Sequence, residues 1–111
     1  MSNITRDEGM LKSQASHVVT DKLVSASNWL YNKGLEKAQI RDLSGAIHFL
    51  SLSIKYSKMN IDARNLLGLV YFEVGEIVNA LEQWVISRHI QQEDNVAQKY
   101  INAIQANQTK L

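Results

Sequence analysis

Asn60-Ile-Asp-Ala-Arg-Asn-Leu-Leu-Gly-Leu-Val-Tyr-Phe-Glu-Val-Gly-Glu76 decides the fold of this chain of 111 residues. Its unbroken Leu69-Val70-Tyr71-Phe72 run would also suit a buried strand. Length argues against that, because the apolar segment from Ile61 to Val74 is longer than most strands. Asn60 supplies a side chain able to accept from the free amides of a helix start. The third argument is a spacing. Gly34 recurs as Gly68, an offset of 34, and the same offset relates Asp42 to Glu76, Leu43 to Ile77, Ala46 to Ala80, Leu50 to Trp84, Ser53 to Ser87 and Asn60 to Asp94. Seven matches at one offset, mostly where size or apolarity matters, define an internal repeat. A period of this length belongs to stacked helical hairpins.

Working outward, Arg41-Asp42 and Gly75-Glu76 read as tight turns at equivalent places. Between them a helix over Leu43–Ser57 places Leu43, Ala46, Ile47, Leu50 and Ile54 at helical spacing. Lys58, Met59 and Asn60 form a loop. A fourth helix over Ile77–Ile90 presents Ala80, Leu81, Trp84 and Val85. Asp94 or Asn95 starts a fifth, with Ala97, Tyr100, Ile101 and Ile104 on one side and Gln98, Lys99, Asn102 and Gln105 on the other. Upstream, a helix runs from Asp21, as its cap, to Ile40. Residues 1–20 form an N-terminal arm of weak periodicity, partly disordered or helical, and the chain from Ala106 is loose, with 108–111 a tail. The fold class is all-α: tandem antiparallel helical hairpins over 21–107, with repeats at about 27–60 and 61–94 and a capping or partial third-repeat helix at 95–107.

Composition narrows the function. A net charge of +1 gives no global attraction to nucleic acid or an anionic membrane. The chain has no cysteine, hence no disulfide and no thiolate chemistry, and no proline to break a helix. No stretch approaches the roughly 20 apolar residues that span a bilayer. A cytoplasmic protein is the plain expectation. The histidines His17, His48 and His89 lie in separate segments without ligand spacing. The pairs Asp7-Glu8 and Glu93-Asp94 flank helix starts, where negative charge suits the helix dipole. There is no glycine-rich phosphate loop and no serine beside a paired base. These absences point away from an enzyme and from any cofactor.

The second unit resembles the tetratricopeptide repeat (TPR) family, through Leu67-Gly68-x-x-Tyr71, Gly75 at the turn, then Ala80 and Trp84. Small Gly68 and Ala80 would let the two helices approach, with Tyr71 and Trp84 filling the space beside them. Arg64 stands where the family often has an aromatic, and Gln92 where a proline often follows. The first unit keeps Gly34, Ala46, Leu50 and Ser53, but Lys33 and Lys37 hold slots that are usually Leu and Tyr. Either the first turn is shifted by one residue, or the helix turns an apolar face to the groove. The intact register through Asp42 and Ala46 favours the second. A bacterial source is only an impression left by the blocks Arg41–Ile47 and Ala63–Leu69.

The resemblance implies a non-catalytic scaffold that binds a peptide or helix of a partner protein on its concave face. Carried over slot by slot, the groove is Tyr31, Leu35 and Ala38 from the first helix and Asn65, Leu69, Phe72 and Glu73 from the third. The chain's own N-terminal arm or a second copy could cover it. The subset of the family that grips chaperone C-terminal tails uses cations and amides; here those places hold Tyr31, Leu35, Leu66, Val96 and Tyr100, which would leave a buried carboxylate unpaired. An amphipathic helix suits the surface better. A homodimer, or a piece of a longer repeat protein, is the alternative. An RNA-binding repeat rests only on the stripe Lys33, Lys37 and Arg41, which a solvated helix face explains. Trp84 reads as core; Trp29 is open between a stacking platform and packing.

Overall fold

Asp42 and Glu76 occupy the same place in successive repeats, and the chain reverses at both in the same way. The amide of Asp42 donates to Lys37 O and that of Glu76 to Tyr71 O, each at 2.9 Å. The residue before each is left-handed: Arg41 has φ 66° and Gly75 φ 86°. This is the closure that ends a helix by satisfying its last carbonyls. The computed structural model describes the backbone of residues 2–109 and the side chains of residues 18–107. Its elements are α1 (Ser2–Gln39), α2 (Leu43–Tyr56), α3 (Ile61–Glu73), α4 (Ile77–Ile90) and α5 (Ala97–Thr109). The fold is all-α, and no strand occurs among the described residues. Each helix packs on the next, and α1 also reaches α3. Lys110 and Leu111, part of the expected tail, lie outside the described residues.

Caps fix the starts. Asp42 Oδ1 accepts from Gly45 N at 3.0 Å, and Asn60 Oδ1 from Ala63 N at 3.1 Å. The fifth helix is started by Asn95, whose Oδ1 accepts from Ala97 N at 3.1 Å. Asp94 instead takes φ 52° and turns the chain. Helix α4 lacks a side-chain cap; Asn79 Nδ2 donates to the Glu76 carboxylate at 2.7 Å.

Two apolar clusters hold the hairpins together, and they are copies of one another. Ala46, Leu50, Ala63, Leu67 and Val70 join α2 to α3. Ala80, Trp84, Ala97, Ile101 and Ile104 join α4 to α5. Every member of the second set lies one full repeat period after its counterpart in the first. All ten are buried, and each large side chain so enclosed contributes about 1.5–3 kcal/mol. Tyr71 packs against both clusters.

Within each hairpin the close approach is made by glycine. A β-carbon on Gly34 would fall 2.6 Å from Leu50 Cγ, and one on Gly68 would overlap the Trp84 indole. The side chain against Gly68 is therefore Trp84. Ala80 is fully buried in the cluster that also holds Ala97.

Helix α1 corrects the reading of the N-terminal segment. It is continuous from Ser2, so Asp21 lies inside a helix and does not cap one. Its 38 residues would measure about 57 Å, against about 21 Å for α2. It therefore extends well beyond its partner, and the molecule is 71 Å long. Residues 18–25 of α1 are exposed, and burial begins at Ser27, Leu30 and Gly34. Likewise α5 continues past Ala106 to Thr109, where a loose end was expected.

The odd residues of the first repeat now have a cause. Trp29, Lys33 and Glu36 occupy in α1 the slots of Ala63, Leu67 and Val70 in α3. In α3 that face meets α2; in α1 no described element lies against it. Lys33 thus sits partly exposed beside Trp29 at a slot that is apolar elsewhere, with no shift of register. Leu30 and Arg64 are also equivalent and both buried. Arg64 tolerates the place because Nε donates to Lys58 O at 2.8 Å and Nη1 to Gln83 Oε1 at 2.9 Å, although burial lowers its pKa.

Candidate functional site

Helix α3 repeats one face at Asp62, Asn65, Leu69, Phe72 and Glu73, and three depressions run along it. The first, about 260 Å³, lies between α1 and α3 and is lined by Leu35, Ala38, Leu66, Leu69 and Glu73, among others. The second, about 110 Å³, lies between α3 and α5, with Phe72, Tyr100, Ala103 and Ile104 around Trp84. Leu69 lines both. The third, about 540 Å³, lies at the N-terminal ends of α3 and α5 and takes in Val24, Asn28, Asp62, Asn65, Asp94 and Val96.

These residues recur with the period of the repeat. Asn28, Asp62 and Val96 share one slot; Leu35, Leu69 and Ala103 another; Gln39, Glu73 and Asn107 a third. The face thus spans α1, α3 and α5, whereas the sequence-derived groove stopped at α3. Ala103 was missed because α5 lacks the glycine and aromatic signature, and Tyr100 was considered only as a place for a chaperone tail. The period itself would have found Ala103, Asp62 and Asn28.

Of the expected groove residues, Leu35, Ala38, Leu69 and Glu73 come together in the first depression, and Leu69 with Phe72 in the second. Phe72 is 44% exposed, its ring centroid 6.4 Å from that of Trp84. Tyr31 instead packs against the α2–α3 cluster, and its hydroxyl pKa is raised by burial first and by Asp62 second. Asn65 lies in the third depression, where its Nδ2 donates to Asn95 Oδ1 at 2.9 Å. Its Oδ1 is enclosed and accepts no hydrogen bond. Glu73 accepts from Arg41 Nη2 at 2.6 Å, which lowers the carboxyl pKa by that hydrogen bond and then by charge. Neither polar group expected to flank the groove is therefore idle. None of the described residues before Val24 lines these depressions.

A polar clasp adjoins the third depression through its lining residues Asn60 and Asn95. Ser27 and Ser53 each donate to the other's carbonyl at 2.7 Å, and Asn60 Nδ2 donates to Ser27 Oγ at 2.9 Å. In the next repeat Asn95 Nδ2 donates to Ser87 O at 3.1 Å and Ser87 Oγ at 3.0 Å. Buried Ser53 and Ser87 are thus satisfied.

Elsewhere the stripe of cations is paired. Lys33 meets Glu36 at 3.5 Å and stands 5.3 Å above the centroid of exposed Trp29; Lys37 meets Asp42 at 3.9 Å; Arg41 holds Glu73. Among the described residues, no three His, Asp or Glu side chains group as a metal ion would require, and no helix is long and apolar enough to cross a membrane. His17 and the pair Asp7-Glu8 lie outside the residues whose side chains are described. Comparison with models of protein families finds no match, and neither does comparison with curated proteins.

Proposed function

We propose that this chain is a TPR-type scaffold that holds a segment of a partner protein along the face of α1, α3 and α5, without catalysing a reaction. The observation that carries this reading is the recurrence of one packing cluster, member for member, in the next repeat. Two like joints, one between the hairpins and one between the second hairpin and α5, favour α1, α3 and α5 lying on one side. That side has apolar depressions meeting at Leu69 and a half-exposed Phe72 beside them. The bound segment is an amphipathic helix or an extended peptide. The cytoplasm is the compartment this reading assigns.

A second reading has its own observation. Val18, Val19, Leu23 and Val24 are exposed on α1 beyond the hairpins, and a second copy could cover them. Sedimentation at two concentrations separates the readings, since only the second predicts a mass that rises.

The docking site is tested by selecting from a displayed library of random peptides on the immobilised chain. The selected peptides should bind the wild type and lose binding to a Phe72→Ala variant that keeps its helical signal and melting behaviour. No enriched peptide, or peptides indifferent to that change, would refute the groove reading.

A further inference from the structure

The two ends of the α1–α3–α5 face differ in charge. Around Leu69 and Phe72 the surface is apolar, and the one ion pair nearby, Arg41–Glu73, is internally balanced. The cleft at the other end is lined by Asp62 and Asp94, and no Lys, Arg or His is among its lining residues. Lys99, which shares the slot of Tyr31 and Asn65, does not line it. Asn65 also lines it, with its Nδ2 donating to Asn95 Oδ1.

Two helix N-termini also face this cleft, and they would favour an anion. Their weight can be compared. Each helix end carries about half an elementary charge, so two ends supply about +1 against −2 from the carboxylates. One amide at each start, Ala63 N or Ala97 N, is moreover already taken by Asn60 or Asn95. The balance is negative, and the two carboxylates are the only charged side chains among the lining residues.

Resting on the groove reading above, we propose that the bound segment is a peptide whose Lys or Arg side chain enters this cleft beside Asp62, Asp94 and Asn65, while its apolar side chains lie over Leu69 and Phe72. The geometry sets a spacing. Asp62 to Leu69 is seven residues of helix and Asp62 to Phe72 ten, about 10 to 15 Å along α3. An extended peptide covers this in about three to five residues; a bound helix takes as many residues as α3 does. The charged end selects the direction of binding and raises the encounter rate, while the apolar end supplies most of the affinity.

The test uses the peptides selected on the wild-type chain that depend on Phe72. They should carry Lys or Arg at that spacing from their apolar residues. An Asp62→Asn, Asp94→Asn double variant should weaken them about tenfold, and added salt should do the same to the wild type. Asparagine is chosen because it tolerates the left-handed backbone of Asp94, so the fold survives. Phe72-dependent peptides that are acidic or neutral at this end, or whose affinity ignores the double variant, would overturn the proposal and leave the groove reading standing. A failure of Phe72 dependence would remove both. A self-associated chain whose face a second copy already fills would also overturn it.

Discussion

Gly68 lies against the indole of Trp84 so closely that the two could not both carry side chains. This contact sets the distance between α3 and α4, and Gly34 against Leu50 sets that between α1 and α2. Because Trp84 is also the floor of the depression between α3 and α5, the contact that closes the hairpin shapes the candidate binding face too.

Replacing Gly68 with Ala should therefore destabilise the protein. In an exposed helix the change would gain about 1 kcal/mol. Here the added methyl meets a ring with no room to retreat, since Trp84 is 2% exposed. Overpacking of this kind costs about 1–3 kcal/mol, so the net change should be a lower melting temperature by thermal denaturation. A higher one would mean that the indole is free to move.

Asn95 ties α5 to both α4 and α3. Asn95→Ala removes the cap of α5 and the bonds to Ser87 and Asn65 together. A lost cap costs about 1 kcal/mol, and the stranded Asn65 amide adds about 1–3 kcal/mol more. Hydrogen exchange should speed up first in α5. Uniform acceleration across all helices would place the role of Asn95 elsewhere.

Arg41 and Gly75 occupy the same left-handed turn position, and only one is glycine. Arg41→Gly should raise the melting temperature by about 2–5 °C at neutral pH, because relief of the backbone outweighs an exposed ion pair. It should also alter the acid response. The folded-state pKa of Glu73 is lowered by Arg41. Its contribution is present above the unfolded carboxyl pKa and is lost as pH falls through the folded one. The variant should lack that part of the acid destabilisation, and identical pH profiles would show that the pair is immaterial.

Deleting residues 96–111 removes one whole half of the α4–α5 cluster and bares Ala80 and Trp84. The shortened chain should aggregate or lose cooperative unfolding, followed by circular dichroism and light scattering. An equally stable, soluble product would mean that two hairpins stand alone.

Turns and close approaches were legible in the sequence because they are local: Asp42 and Asn60 cap as their chemistry suggests, and both glycines mark the narrow places. The length of α1 was not. Residues 18–25 are exposed and bury no face, so they leave no periodic signal, and Asp21 resembles a cap while lying mid-helix. Lys33 looked like a broken motif because its slot has meaning only against a neighbour, and none of the described elements lies there in α1. The commitments of Asn65 and Glu73 were hidden too. Each depends on a residue about 30 positions away, Asn95 or Arg41, that becomes adjacent only once the hairpins stack.

Stacking of this kind has a kinetic meaning. The side-chain bond from Asn60 to Ser27 spans 33 residues, and that from Asn65 to Asn95 spans 30. The two copied clusters draw on neighbouring helices alone. The entropy of closing each loop is thus incurred in small, nearly equal instalments, and adding a hairpin would not lengthen any of them. Low contact order goes with folding in microseconds to milliseconds. A chain built this way can offer a long face to a partner without acquiring the slow folding that distant pairings impose on a sheet of similar reach.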